Sequence, residues 1–187
     1  MLLMILGLVL WSAAHLVKPM APAWRRGLAE RYGEGPVKGA MAVLILLSLV
    51  LMVIGYQRAA FIPVWNPPPW TVHLNNLLML LAVVLFAGTA PKSPVRRFTR
   101  HPMLNGVKTW AVAHLAVNGD LASIILFGGL LAWGVVAMVA INRRDGKPPQ
   151  EYEWSGARWA RTLAISLVVF AVIAAVHTWV GVWPFPR

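Results

Sequence analysis

The sequence predicts an all-α polytopic membrane protein, a bundle of six transmembrane helices with both termini outside. Three observations carry that prediction. Of 187 residues, 59% are hydrophobic and 12% charged, against about 45–50% apolar and about 25% charged in soluble domains. The apolar residues fall into six long runs, and Lys and Arg collect in alternate connectors. A chain so poor in polar side chains cannot cover a globule in water, which excludes a soluble enzyme. A net charge of +11 would suggest nucleic acid in a soluble protein. Its distribution assigns it to the membrane surface instead, so lipid is the expected partner and nucleic acid is not. Cysteine is absent, which removes disulfides, thiolate metal sites and cysteine nucleophiles.

At about 1.5 Å of rise per residue and a hydrocarbon core of about 30 Å, a span needs roughly 20 residues. Backbone polar groups must be satisfied inside lipid, so each apolar run reads as a helix. The first run is Met1 to Val17. No Lys or Arg precedes it, so it reads as a retained helix rather than a cleaved signal peptide. The second, Gly39 to Tyr56, contains MAVLILLSLVLMVIG. The third, Val72 to Ala90, follows a Trp65-Asn66-Pro67-Pro68-Pro69-Trp70 turn, where prolines stop helices and tryptophans sit at headgroup level. The fourth, Met103 to Val117, is short and carries Lys108, whose stem can snorkel to the headgroups. The fifth, Leu121 to Asn142, follows Asn118-Gly119-Asp120, with Asp120 placed as an N-cap. The sixth, Thr162 to Val182, exits through Trp179, Trp183 and Pro184. Trp24, Trp154 and Trp159 suit the opposite interface. Arg143 to Ala160 is the longest polar stretch and is expected to be mobile. No internal repeat is visible, so residues 1–187 read as a single domain.

Basic residues test the span count independently of hydropathy. The first connector holds Lys18, Arg25, Arg26, Arg31 and Lys38; the third Lys92, Arg96, Arg97 and Arg100; the fifth Arg143, Arg144, Lys147, Arg158 and Arg161. The second connector and the tail hold only Arg58 and Arg187. Alternate connectors thus carry 14 basic residues against 2, and the positive-inside rule puts the rich ones in the cytoplasm.

Ionisable groups at membrane depth are costly and are functional suspects. Here they are His15, His73, His101, Lys108, His114, Asn118, Asp120 and His177, with Arg58 at the outer edge. A lone intramembrane histidine can simply hydrogen-bond a neighbouring helix. Two of them share a context: Trp11 stands four residues before His15, and Trp110 four before His114. Each pair places an indole and an imidazole on one helix face, and two such faces can enclose a flat cofactor. His101 precedes Pro102, which suits a helix start. Zinc is disfavoured because no histidines lie three or four apart, and carboxylates are scarce in the spans. Ser12, Ser123 and Ser166 occupy no nucleophile-elbow sequence, which disfavours a hydrolase. Haem stays open, because it needs only one or two imidazoles in an apolar, aromatic pocket.

From Arg100 to Ser123, RHPMLNGVKTWAVAHLAVNGDLAS resembles the NnrU family of bacterial membrane proteins. Looser similarity runs from the first-span histidine to the HTWVGVWPFP ending. The Arg-His-Pro start, the Trp-x-x-x-His spacing and the Asn-Gly-Asp turn carry the resemblance together. It implies a multi-pass protein of the bacterial inner membrane, linked to nitrite and nitric oxide reduction in denitrification, with a nitrogen-oxide reductase or another membrane protein as its expected partner. The family also includes the plant zeta-carotene isomerase, a haem b enzyme that turns a cis double bond trans. The resemblance matches that enzyme's haem histidines to His15 and His114, which makes these the candidate ligands of a haem b, with His101 and His177 as alternates and Trp11, Trp110, Asn118 and Asp120 as candidates for lining the cofactor. The enzyme's further histidine after the second span has no counterpart in Gly55-Tyr56-Gln57-Arg58. Depth along the helices pairs the histidines differently. With the first span running inward and the fourth outward, His15 levels with His101, and His114 with His177. A cofactor-free accessory protein, assembling a reductase through its basic loops, is the competing class.

Overall fold

The computed structural model describes residues 1–90, 92–146 and 155–185. Lys147, Trp154 and Arg187, with the middle of the Arg143 to Ala160 connector, lie outside them. The described residues form seven α-helices: α1 Leu2–Met20, α2 Pro22–Tyr32, α3 Glu34–Gln57, α4 Thr71–Ala87, α5 Pro102–Val117, α6 Leu121–Asp145 and α7 Gly156–Trp179. A single 3-10 turn, Pro94–Arg97, precedes α5. No strand occurs among the described residues; Pro63 and Asp120 form one isolated antiparallel bridge.

Each of the six apolar runs holds a helix, although α4 stops at Ala87 rather than Ala90 and α7 runs from Gly156 to Trp179 rather than from Thr162 to Val182; the boundaries follow local chemistry. Pro22 opens α2 and Pro102 opens α5, positions where the missing N–H costs nothing. Asp120 caps α6 by accepting from the Ser123 N–H at 3.0 Å, as expected from the sequence. His101 sits at the N-cap position of α5 but makes no side-chain cap bond. Thr99 Oγ1 takes the His101 N–H instead, at 3.2 Å. The correction to the expected layout is α2, which occupies what reads as the first connector. PAWRRGLAERY has no apolar run, so hydropathy passes over a helix started by proline and held by its neighbours. Arg25 Nη2 donates to Glu34 Oε1 at 2.9 Å, tying α2 to the start of α3.

Four helices, α1, α3, α6 and α7, are long and apolar enough to cross a membrane. α4 is apolar but has 17 residues, and α5 has 16. The distribution of side-chain size shows what solvent these helices meet. Large aliphatic residues point outward, with Val43 67% and Val168 64% exposed. The buried positions are largely small: Ser48, Ala82, Ala111, Ala113, Ala122, Ser123 and Ser166. Small residues at helix contacts and large apolar ones outside are the pattern of a membrane protein, whose helices associate by close packing rather than by exclusion from water.

The helices form two compact units. The first holds α1, α2, α3 and α6. There α1 packs on α3 and α6, and α2 rests on α3. Gly55 makes the α1–α3 contact possible, because a Cβ on it would collide with the Met4 backbone. In this unit Arg144 Nη1, near the end of α6, donates to the Lys18 carbonyl at 3.3 Å. The second unit holds α4, the 3-10 turn, α5 and α7, with α4 packed on both α5 and α7. Its basic turn lies beside the start of α7, where Phe98 meets Trp159 at 6.0 Å between ring centroids. In the connector of this unit Trp65 N donates to the Gly119 carbonyl at 3.1 Å. Only glycine fits at 119, since any Cβ would fall on the Trp65 carbonyl.

Candidate functional site

His15, His114 and His177 share one arrangement. Each Nδ1 lies within hydrogen-bond distance of the carbonyl four residues earlier: His15 to Trp11 O at 2.9 Å, His114 to Trp110 O at 2.9 Å, His177 to Ile173 O at 2.8 Å. A carbonyl can only accept, so Nδ1 carries the proton and donates it. In the neutral imidazole Nε2 is then a bare lone pair, the form that ligates metals. The helix itself acts as the supporting partner that fixes ring orientation and tautomer.

In the first unit, His15 lies against Trp11 with ring centroids 4.2 Å apart and planes at 34°. The expected shared face is therefore real. A third ring, absent from the sequence-based candidates, completes it: Trp133 of α6 stands edge-on at 5.2 Å from His15 and 5.9 Å from Trp11. In the second unit, Trp110 and His114 are 4.9 Å apart at 50°. Asn118 Nδ2 donates to the His114 carbonyl at 2.8 Å, closing the end of α5 over that ring. His177 belongs to the same unit as His114. His15 belongs to the first unit and His114 to the second. His101 belongs to the second unit, and His73 is exposed on α4.

Asp120 serves a different neighbourhood, in the first unit. Its Oδ2 accepts from Ser123 Oγ at 2.5 Å, and Ser123 Oγ lies 2.8 Å from Tyr56 Oη. The serine proton points to the carboxylate, so the tyrosine must donate. The result is a directed chain Tyr56→Ser123→Asp120, with Ser123 fully buried. Sequence reasoning found the cap but not the tyrosine, because Tyr56 and Ser123 lie 67 residues apart.

The chemistry open to these groups is narrow. Ser12 and Ser166 donate to carbonyls of their own helices, at 2.8 Å each, and Ser123 is committed to Asp120. None is poised as a nucleophile. No group of three or more His, Asp or Glu that could hold a metal ion occurs among the described residues. A haem asks for less: an imidazole presenting Nε2, aromatic walls, and donors for its carboxylates. The His15 neighbourhood offers the imidazole and the aromatic rings, and the buried indole N–H groups of Trp11 and Trp133 have no acceptor among the described residues.

No curated protein and no solved structure matches the chain. One family model does, described as "NnrU protein", and it matches residues 3–184. With nearly the whole chain inside that match, and with the helices of a membrane protein, this protein belongs to the NnrU family.

Proposed function

We propose that this chain is a six-span protein of the bacterial inner membrane that holds haem b and serves nitrite and nitric oxide metabolism. The observation that supports haem most directly is the Nδ1–carbonyl bond shared by His15, His114 and His177, which fixes the tautomer that ligates metals through Nε2. Each unit carries its own candidate ligand, His15 beside Trp11 in the first and His114 beside Trp110 and Asn118 in the second; His177 and His101 are the alternates. Haem bound through one imidazole would take up a diatomic gas, and haem bound through two would pass electrons. The six-span reading adds α4 and α5 to the four longer helices. At about 1.5 Å per residue they reach about 25 Å, a shortfall that local thinning and a snorkelling Lys108 absorb.

The experiment is the absorbance of the detergent-purified protein after haem-replete expression, oxidised and reduced with dithionite, with and without nitric oxide. A Soret band that shifts on reduction is expected. Its loss in His15→Ala and His114→Ala, but not in His101→Ala, supports the assignment; loss only in His101→Ala and His177→Ala overturns it. A pigment-free protein would favour the accessory class. Product analysis with a cis-carotene substrate tests the isomerase alternative, and no turnover is expected because Gln57 and its neighbours supply no histidine after α3.

A further inference from the structure

None of the eleven residues of α2 is buried, and its direction follows from the two spans it joins. Met4 meets Gly55, and Gly7 meets Ser48 and Met52. α1 and α3 therefore run antiparallel, with Ala21 level with about Val37. Gly33, where α2 ends, joins Glu34 directly. Along the axis of α3, α2 thus advances about four residues of rise, roughly 6 Å, while its own length is about 16 Å. It lies about 65–70° from the spans, across their ends. Ala21, at φ −130° and ψ 55°, and Gly33, at φ 86°, make the two corners. Both spans are long and apolar enough to cross a membrane, so a helix transverse to them at their connecting end lies in the plane of the bilayer surface.

The two sides of α2 differ in a way that selects a partner. Pro22, Arg25, Leu28 and Ala29 are half-buried and share one side. Arg25 is committed there, since with Lys38 it holds the Glu34 carboxylate, at 2.9 Å and 3.4 Å. The exposed side carries Trp24, Gly27 and Arg31 at i, i+3 and i+7, with Arg26 and Glu30 beside them. Arg31 lies over the Tyr32 ring at 5.2 Å, and neither it nor Arg26 forms an ion pair among the described residues. A Cβ on Gly27 would meet nothing within 4 Å, so the surface between the Trp24 indole and Arg31 is open. In water, the exposed Met20, Trp24 and Tyr32 would form an apolar patch without cover. Within the hydrocarbon, Arg26 and Arg31 would be costly. The headgroup layer suits both, because aromatic rings settle there and phosphate oxygens accept from guanidinium groups. We propose that α2 is an interfacial helix whose exposed side binds anionic phospholipid, with Arg26 and Arg31 on the headgroup phosphate and Trp24 and Tyr32 at the level just beneath it. This stands apart from the haem reading.

The chain has no cysteine, so Ala23→Cys, at an exposed position of α2, gives the full chain a single bimane label. The labelled protein is placed in bilayers of phosphatidylcholine and phosphatidylglycerol, and one lipid at a time carries a nitroxide at carbon 5 of its acyl chain. Both probes are expected to quench the label. A basic residue at an anionic surface changes association by about 5-fold. Two arginines opposed by Glu30 therefore leave a net preference for phosphatidylglycerol of about 5-fold. Arg26→Gln or Arg31→Gln should each remove that preference, and Glu30→Gln should raise it about 5-fold. Arg58→Gln, in the second connector, should leave it unchanged. Undiminished quenching by the phosphatidylcholine probe in each variant shows that α2 is still folded in its place. Equal association of the two lipids with the labelled parent, or a preference that survives both arginine substitutions, overturns the inference. So does a label that neither lipid quenches, which would put α2 in water or beneath another protein.

Discussion

Replacing Asp120 with alanine removes two acceptors at once, and the structure sets the cost. The carboxylate takes the Ser123 N–H at 3.0 Å and the Ser123 hydroxyl at 2.5 Å. Loss of an N-cap costs about 1 kcal/mol. Stranding a buried hydroxyl that had donated to a charged oxygen adds about 1–2 kcal/mol, so Asp120→Ala is expected to destabilise the protein by about 2–3 kcal/mol. Asp120→Asn keeps an oxygen for the Ser123 N–H and can donate to Ser123 Oγ. The serine then turns its proton toward Tyr56, so this variant should cost about 1 kcal/mol or less. Tyr56→Phe removes only the last donor of the chain and should cost about 0.6 kcal/mol, the usual scale for side-chain bonds between membrane helices. Unfolding in mixed micelles by SDS titration, followed by helical circular dichroism, gives all three values. The double variant Tyr56→Phe/Asp120→Ala should be destabilised by less than the sum of the two, because the chain is polarised as a unit. An Asp120→Ala protein within 0.5 kcal/mol of wild type, taken as about the limit of non-additivity between unconnected sites, would refute the reasoning. So would Tyr56→Phe costing more than Asp120→Ala, because the carboxylate could not then be the terminal acceptor.

Gly55→Ala places a methyl group on the Met4 backbone and forces α1 away from α3, at an expected cost of about 1–3 kcal/mol in the same titration; an unchanged midpoint would refute the close approach. The absence of cysteine makes the chain suited to accessibility mapping. A cysteine at Asn66 should react with an impermeant maleimide in intact spheroplasts, and one at Arg26 only after lysis. The reverse pattern would invert the map, and with it the depth assigned to every histidine. Both substitutions fall at exposed positions, so neither should perturb packing.

The six helical runs were legible in the sequence because lipid imposes a one-dimensional constraint. A segment must be apolar for its whole length and must satisfy its own backbone, and both conditions can be read without knowing its neighbours. The Asp120 cap and the shared faces of Trp11 with His15 and Trp110 with His114 were legible for the same reason, since they involve residues three or four apart on one helix. α2 was not, because its eleven residues carry no apolar run and its order comes from Pro22 and the Arg25–Glu34 pair. Trp133 and Tyr56 were invisible as site residues for a different reason. Trp133 lies 118 positions beyond His15 and Tyr56 67 before Ser123, inside runs whose composition says only that they are buried in lipid or protein. Which face of α6 turns toward α1, and which hydroxyl meets Ser123, depends on where small residues such as Gly55 let helices approach. That is a property of paired surfaces, and only the tertiary structure decides it.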